Sequence, residues 1–268
     1  MSRGDPWLHR FSVFTAGATL FLIFAGGLVT STGSGLAVPD WPLSYGMIFP
    51  PMVGGIFYEH GHRMVATFVG LLTIVLAVWV CRRDGRSWVR YVSLAALGAV
   101  VLQGLLGGLT VIYLLPTALS IGHALLAQTF FCLVVGIALF TSPVWRASAS
   151  PLEDSRRVPF RHIALFATLA VYLQLFLGSW MRHTEAGLAI PDFPLAFGQL
   201  VPPIMDLEAD TSAPFPISSE TLRFRVGIHF AHRVWALVVS ALVVWAVVRV
   251  LRMHANRKEL VYPAVVML

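Results

Sequence analysis

The chain has 268 residues, of which 57% are hydrophobic and only 12% charged, with a formal net charge of +6. A soluble domain carries about 25% charged side chains, so a soluble globular protein is excluded, and so is a disordered chain. The positive balance is no signature of nucleic-acid binding here, because membrane proteins concentrate Lys and Arg in cytoplasmic loops. Cys81 and Cys132 supply no disulfide framework.

Six apolar stretches follow one another, roughly at 11–31, 61–81, 91–113, 118–141, 163–181 and 229–249. Each is long enough to cross hydrocarbon, where only a helix satisfies its own backbone groups. The expected fold class is an all-α polytopic membrane protein. The first stretch is too long for a signal peptide, and Gly33, Ser34 and Gly35 form no cleavage site, so it is read as a retained span. A last apolar stretch, Leu260 to Leu268, is too short to span. The chain is therefore expected to be six spans and the stub of a longer design. With the N-terminus inside, 14 of the 19 basic residues fall on the inner side and 8 of the 13 acidic residues outside. The positive-inside rule favours that orientation, and for a bacterial chain the membrane is the inner (cytoplasmic) one.

The sequence repeats itself. Residues 35–51 (GLAVPDWPLSYGMIFPP) and 187–203 (GLAIPDFPLAFGQLVPP) are identical at 10 of 17 positions with an offset of 152. Each copy follows an odd span and is expected outside. Each is followed by a histidine pattern opening an even span: Glu59-His60-Gly61-His62-Arg63 and His229-Phe230-Ala231-His232-Arg233. His62 and His232 are 170 residues apart, so the second loop carries 18 extra residues, around Asp206–Glu220. Four spans separate the copies, which makes the repeat parallel. Two pseudo-symmetric four-helix bundles are expected, residues 1–150 and 151–268, the second incomplete.

His62, His123 and His232 open spans two, four and six. These helices all descend from the outer face, so the three imidazoles share a depth in the outer part of the membrane. In a four-helix bundle, spans two and four can face each other, and His62 and His123 could then ligate one iron axially from opposite sides. His232 would be half of an equivalent pair. A lone intramembrane histidine is often only an interhelical hydrogen-bonder. Three at matched depth, two in repeated His-Arg pairs, favour ligation.

Glu59 lies one turn before His62 and shares its face. It could stabilise a developing positive charge or move protons; the alternative is an interfacial pair with Arg63. Its counterpart is His229, so the two units are not equivalent. Arg63 and Arg233 either pair with haem propionates or snorkel to headgroups. His60 points about 160° away from His62 on a helix; His183 lies in an outer segment, and His9, His162 and His254 lie at inner boundaries. In the Pro-Asp-Trp/Phe-Pro loops, Pro fixes the backbone and Asp caps or turns it; covering a haem mouth is the functional alternative. Gln103 to Gly108 in span three resembles Gln174 to Gly178 in span five, and these glycines read as packing features that make room for a flat macrocycle.

Taken together these residues resemble the haem A synthase family of cytochrome oxidase assembly. The resemblance covers nearly the whole chain. It rests on Glu59-x-x-His62-Arg63, Gly122-His123, the twin GLA-x-PD-x-P loops and His229-x-x-His232-Arg233. It implies an eight-helix protein of two halves that oxidises a ring methyl of haem O to a formyl group, by successive hydroxylation and loss of water. It implies that His62 and His123 flank haem O as substrate, that Glu59 serves the oxidation, and that His232 ligates haem b, which could relay electrons. Haem O synthase and cytochrome oxidase assembly factors are the implied partners; a homo-oligomer is left open. Many members carry a cysteine pair in the first outer loop. Residues 32–59 contain none, so no thiol role carries over. The runner-up is a non-catalytic di-haem b-type membrane cytochrome exchanging electrons with quinol, against which Glu59 and the unequal halves speak. A haem transporter or chaperone comes third, since Trp41 stands alone in its loop where such proteins display several tryptophans.

Overall fold

The structure is a computed structural model that describes residues 5–147, 158–209 and 217–267. The described residues are all-α: α1 (Pro6–Ser31), α2 (Gly55–Arg83), α3 (Ser87–Ile112), α4 (Thr117–Thr141), α5 (Pro143–Ala147), α6 (Phe160–His183), α7 (Ser219–Met253) and α8 (Lys258–Val266). Six of them, all but α5 and α8, are long and apolar enough to cross a membrane. The chain is a multi-pass membrane protein. The helices outrun the apolar stretches, because hydropathy reports only the part that crosses hydrocarbon and a helix continues freely into the polar interface. The difference is largest in α7, which starts at Ser219 rather than near 229. Ser218 caps it by accepting from the Thr221 amide, so part of the extra loop length is helix.

The chain divides into two compact units, residues 1–150 and 151–268. In the first, α1 packs on α2 and α4, and α3 packs on the same two. Helices α2 and α4 therefore occupy opposite corners of a four-helix bundle. A dry core of Leu8, Val69, Leu76, Val80, Val89, Ala96, Phe130, Val134 and Ile137 fills the end where α1 begins. That end is also laced by polar contacts. Asp5 caps α1 and accepts from the Trp79 indole at 3.2 Å. Asp84, fully buried, receives Arg86 at 2.7 Å and Arg146 at 2.6 Å, which joins the α2–α3 turn to α5. Burial alone would push the Asp84 carboxyl up, but the Arg86 hydrogen bonds and the two guanidinium charges hold it below its ordinary value.

The other end of the bundle is packed differently. In α4, every residue from 122 to 129 is half-buried, whereas Phe130, Val134, Ile137 and Ala138 beyond them are sealed. No face of the 122–129 stretch is closed off. In the second unit, α6 packs on α7 and α7 on α8. The Trp235 indole donates to the Ala170 carbonyl at 2.9 Å across the α6–α7 pair. Residues 174–181 of α6 show the same all-round half-burial.

Candidate functional site

The two repeated loops, preceding α2 and α7, are built alike. Residues 44–47 and 196–199 each form a tight turn closed by an isolated bridge. Both central residues have positive φ: 53° at Tyr45 and 69° at Gly46, 57° at Phe197 and 74° at Gly198. Glycine takes the second of these positions without steric cost. The aromatic residue before it is held there by the loop aspartate. Asp40 accepts from the Tyr45 and Gly46 amides at 2.6 and 2.8 Å, and Asp192 from those of Phe197 and Gly198 at 2.7 Å each. The Gly46 and Tyr45 amides, and likewise the Gly198 and Phe197 amides, hold these carboxyls below the ordinary carboxylate range. Trp41–Pro42 and Phe193–Pro194 are both cis.

Each loop is gripped from the following helix by its arginine. Arg63 donates to the carbonyls of Asp40, Leu43 and Val38 at 2.7, 2.9 and 3.3 Å. Arg233 donates to those of Asp192, Leu195 and Ile190 at 2.7, 3.0 and 3.3 Å. Every pair of acceptors is related by the offset of 152. The described contacts of Arg63 and Arg233 thus include a loop-fastening role that the sequence did not suggest, since a carbonyl left without a donor is costly.

Glu59 is 4% exposed. Its Oε2 accepts from the Val38 amide at 2.8 Å and its Oε1 pairs with Arg63 at 2.6 Å. The pairing with Arg63 weighed from the sequence is thus present, together with an amide contact that was not anticipated. Each carboxylate oxygen retains a further lone pair. In the second unit His229 faces the equivalent groups: the Ile190 amide lies 3.3 Å from Nδ1 and Arg233 Nε lies 3.1 Å from Nε2. A neutral imidazole has one acceptor nitrogen, so it serves one of these donors at a time where the carboxylate serves both. His60 turns from His62 into the loop, its Nδ1 2.8 Å from Ser44 Oγ. The equivalent pair in the second unit is apolar, Phe230 packed against the cluster containing Ala196.

His62 and His123, on the diagonal helices α2 and α4, open the loosely packed end of the first bundle. Each imidazole seats on a glycine of the preceding helix. A Cβ at Gly26 would stand 3.0 Å from His62 Cε1, one at Gly107 3.2 Å from His123 Cε1, and one at Gly178 2.9 Å from His232 Cε1. The glycine room expected for a macrocycle is thus partly taken by protein: His123 fills the space at Gly107, and the Trp41 ring comes within 2.7 Å of a Cβ at Gly108. The sequence pairs Gln103 with Gln174 but assigns them no role beside these glycines. Gln103 Nε2 donates to the His123 carbonyl at 3.0 Å and lies 3.4 Å from its Nε2. Gln174 Nε2 stands 3.3 Å from both the carbonyl and Nε2 of His232. The shared Gln-x-x-x-Gly spacing, one helical turn, carried that signal.

A haem-iron ligand needs a ring nitrogen free of protein partners. In His62, His123 and His232 alike, Nδ1 is buried without a hydrogen-bond partner. The residues present therefore fit a haem held between α2 and α4. Among the described residues no cluster of three or more His, Cys, Asp or Glu is placed to hold a bare metal ion.

The cytochrome oxidase assembly protein family (COX15-CtaA) matches residues 9–268. The chain belongs to that family. Among its relatives, a protein named Heme A synthase from Symbiobacterium thermophilum is 32% identical over 88% of this chain and 73% of its own length. Proteins of the same name from Shouchella clausii and Halalkalibacterium halodurans are each 29% identical, over 90% and 95% of this chain and 76% and 81% of their own lengths. Family membership spans both units, so the paired loops and the three seated histidines all lie within the matched region.

Proposed function

We propose that this protein is a haem A synthase, which oxidises a ring methyl of haem O to the formyl group of haem A for cytochrome oxidase. The observation that carries this reading is the arrangement at the open end of the first bundle. Two imidazoles on opposite helices each keep a buried, unpartnered Nδ1, and a buried carboxylate stands one turn from one of them. The relatives named Heme A synthase support it over a non-catalytic cytochrome.

In this reading His62 and His123 hold haem O as substrate and Glu59 serves the oxidation. Arg63 pairs with Glu59 and grips the loop beside it, so the carboxyl group meets the substrate from a rigid, water-poor wall. The remaining lone pairs of Glu59 accept protons released as the methyl carbon is oxidised. In the second unit His232 would hold haem b, which when bound would supply an electron relay. Haem O synthase delivers the substrate, and assembly factors of cytochrome oxidase receive the product. The protein lies in the inner membrane with its N-terminus inside and both haem sites toward the outer face.

The test is to express the chain with a source of haem O and to separate the extracted haems by chromatography. Haem A, or its hydroxylated precursor, is expected. A folded protein that returns only unaltered haem O overturns the assignment.

A further inference from the structure

Two glutamines stand at equivalent places beside two of the three seated histidines, and the third place holds leucine. Gln103 precedes Gly107 by four residues, Gln174 precedes Gly178 by four, and Leu22 precedes Gly26 by four. Leu22 and Gln174 are also related by the repeat offset of 152. Both glutamines make the same contact: the amide nitrogen reaches the carbonyl of the histidine residue itself, at 3.0 and 3.3 Å, and lies 3.4 and 3.3 Å from its imidazole. Both amide oxygens, Gln103 Oε1 and Gln174 Oε1, are buried with no partner.

A neutral amide inside an apolar helix pair has to be repaid by hydrogen bonds. A leucine of similar size would pack there at no such cost, as Leu22 does. What the amide adds is a tie to one residue of the neighbouring helix. The imidazole turns about two side-chain bonds, and the Gln103 amide, bound to the His123 carbonyl and 3.4 Å from its Nε2, flanks one edge of the ring while Gly107 closes the other, which leaves the ring little room to rotate. The same holds for His232 between Gln174 and Gly178. His62 has the glycine seat at Gly26, with Leu22 where the other two have glutamine.

We propose that Gln103 and Gln174 are positioning residues that fix His123 and His232 as haem ligands, and that His62 is the one histidine of the three held without such a tie. This rests on the haem-ligand reading given above. Outer partners of ligating histidines typically change metal affinity by about 10- to 100-fold when removed. Loss of either amide is therefore expected to speed haem release about tenfold and to shift the spectroscopic signature of the ligated iron.

The experiment compares the wild type with Gln174→Met, Gln103→Met and Leu22→Gln, each purified with the haem it acquires in the cell. Methionine keeps the length and volume of the side chain and removes only the amide, which disturbs the packing least. The readouts are the low-temperature electron paramagnetic resonance spectrum, the midpoint potential and the rate of haem transfer to a haem-scavenging protein. The two Gln→Met variants are expected to show shifted low-spin signals, altered potentials and faster transfer. Leu22→Gln, which installs the missing tie, is expected to slow transfer from the first unit. If a Gln→Met variant fails to fold, the Leu22→Gln arm decides alone. Wild-type signals and rates in every variant overturn the positioning role. A wild type that carries haem without an imidazole-ligation signature overturns instead the ligand reading on which it rests.

Discussion

The two outer loops share a backbone and differ in what holds it. In the first unit the loop is fastened by charge: Glu59 takes both the Val38 amide and Arg63, and His60 takes Ser44. In the second, His229 faces two donors with one acceptor, and Phe230 packs beside Ala196 where the polar pair would be. The arginine grip on three carbonyls is common to both. A loop of this shape thus does not require a carboxylate, since the second unit manages without one. A buried carboxylate in the first unit is costly to desolvate, and the catalytic role proposed for Glu59 would account for its presence there.

The sharpest way to break this comparison is Glu59→His, which copies His229 into the first unit. It keeps an acceptor for the Val38 amide and removes only the carboxylate. Haem A formation is expected to fall by at least about 10²-fold. The thermal midpoint in detergent should change only by the equivalent of one lost hydrogen bond, about 1 kcal/mol. Retention of product formation in a folded Glu59→His protein would show that the carboxylate merely fastens the loop.

The opposite ends of α2 and α7 offer a second comparison. Asp84 caps α2 and gathers two arginines, whereas the matching cap of α7 is His254. Asp84→Asn leaves two guanidinium groups without their charge partner and is expected to cost about 3 kcal/mol of stability, read from thermal unfolding. Because the folded carboxyl titrates below its unfolded value of about 3.9, its stabilisation is complete above that pH and is lost as pH falls through the folded value. The wild type should therefore lose stability below about pH 4 more steeply than Asp84→Asn does.

A smaller effect tests the exchange of polar for apolar fastening. His60→Phe alone strands Ser44 and should cost about 1–2 kcal/mol. Adding Ser44→Ala, which reproduces the Phe230 and Ala196 pair, should recover most of that loss. A double variant as unstable as the single one would mean that His60 has a role beyond the loop. The smallest effect concerns the helix ends. Gly33 and Glu185 occupy matching left-handed positions, at φ 66° and 56°. Glu185→Gly relieves an L-residue penalty of about 1 kcal/mol and gives up only an exposed ion pair with Arg225, so the thermal midpoint should rise slightly.

Much of this was legible in the residues. Span number, the repeat at offset 152 and the candidate residues Glu59, His62, His123 and His232 follow from hydropathy and pattern, which need no three-dimensional information. The destinations of side chains did not follow. Arg63 and Arg233 read equally as propionate or headgroup partners, since an arginine beside a membrane surface has many anionic options. The loop carbonyls that take them sit 20 to 43 residues away, and backbone acceptors leave no mark in a sequence.

Composition alone determined that this chain lives in a bilayer, because a charge content of 12% cannot face water on all sides. The spacing of its apolar runs and twin motifs determined that the lipid-spanning plan is duplicated and that the copies differ at Glu59 and His229. Only the tertiary structure decided which groups meet. It set α2 and α4 on opposite corners, gave each seated imidazole a glycine floor, and turned two intramembrane glutamines toward two of the three histidines. Such pairings depend on helix rotation and on contacts up to 129 residues apart, and these are settled by packing rather than by any local run of residues.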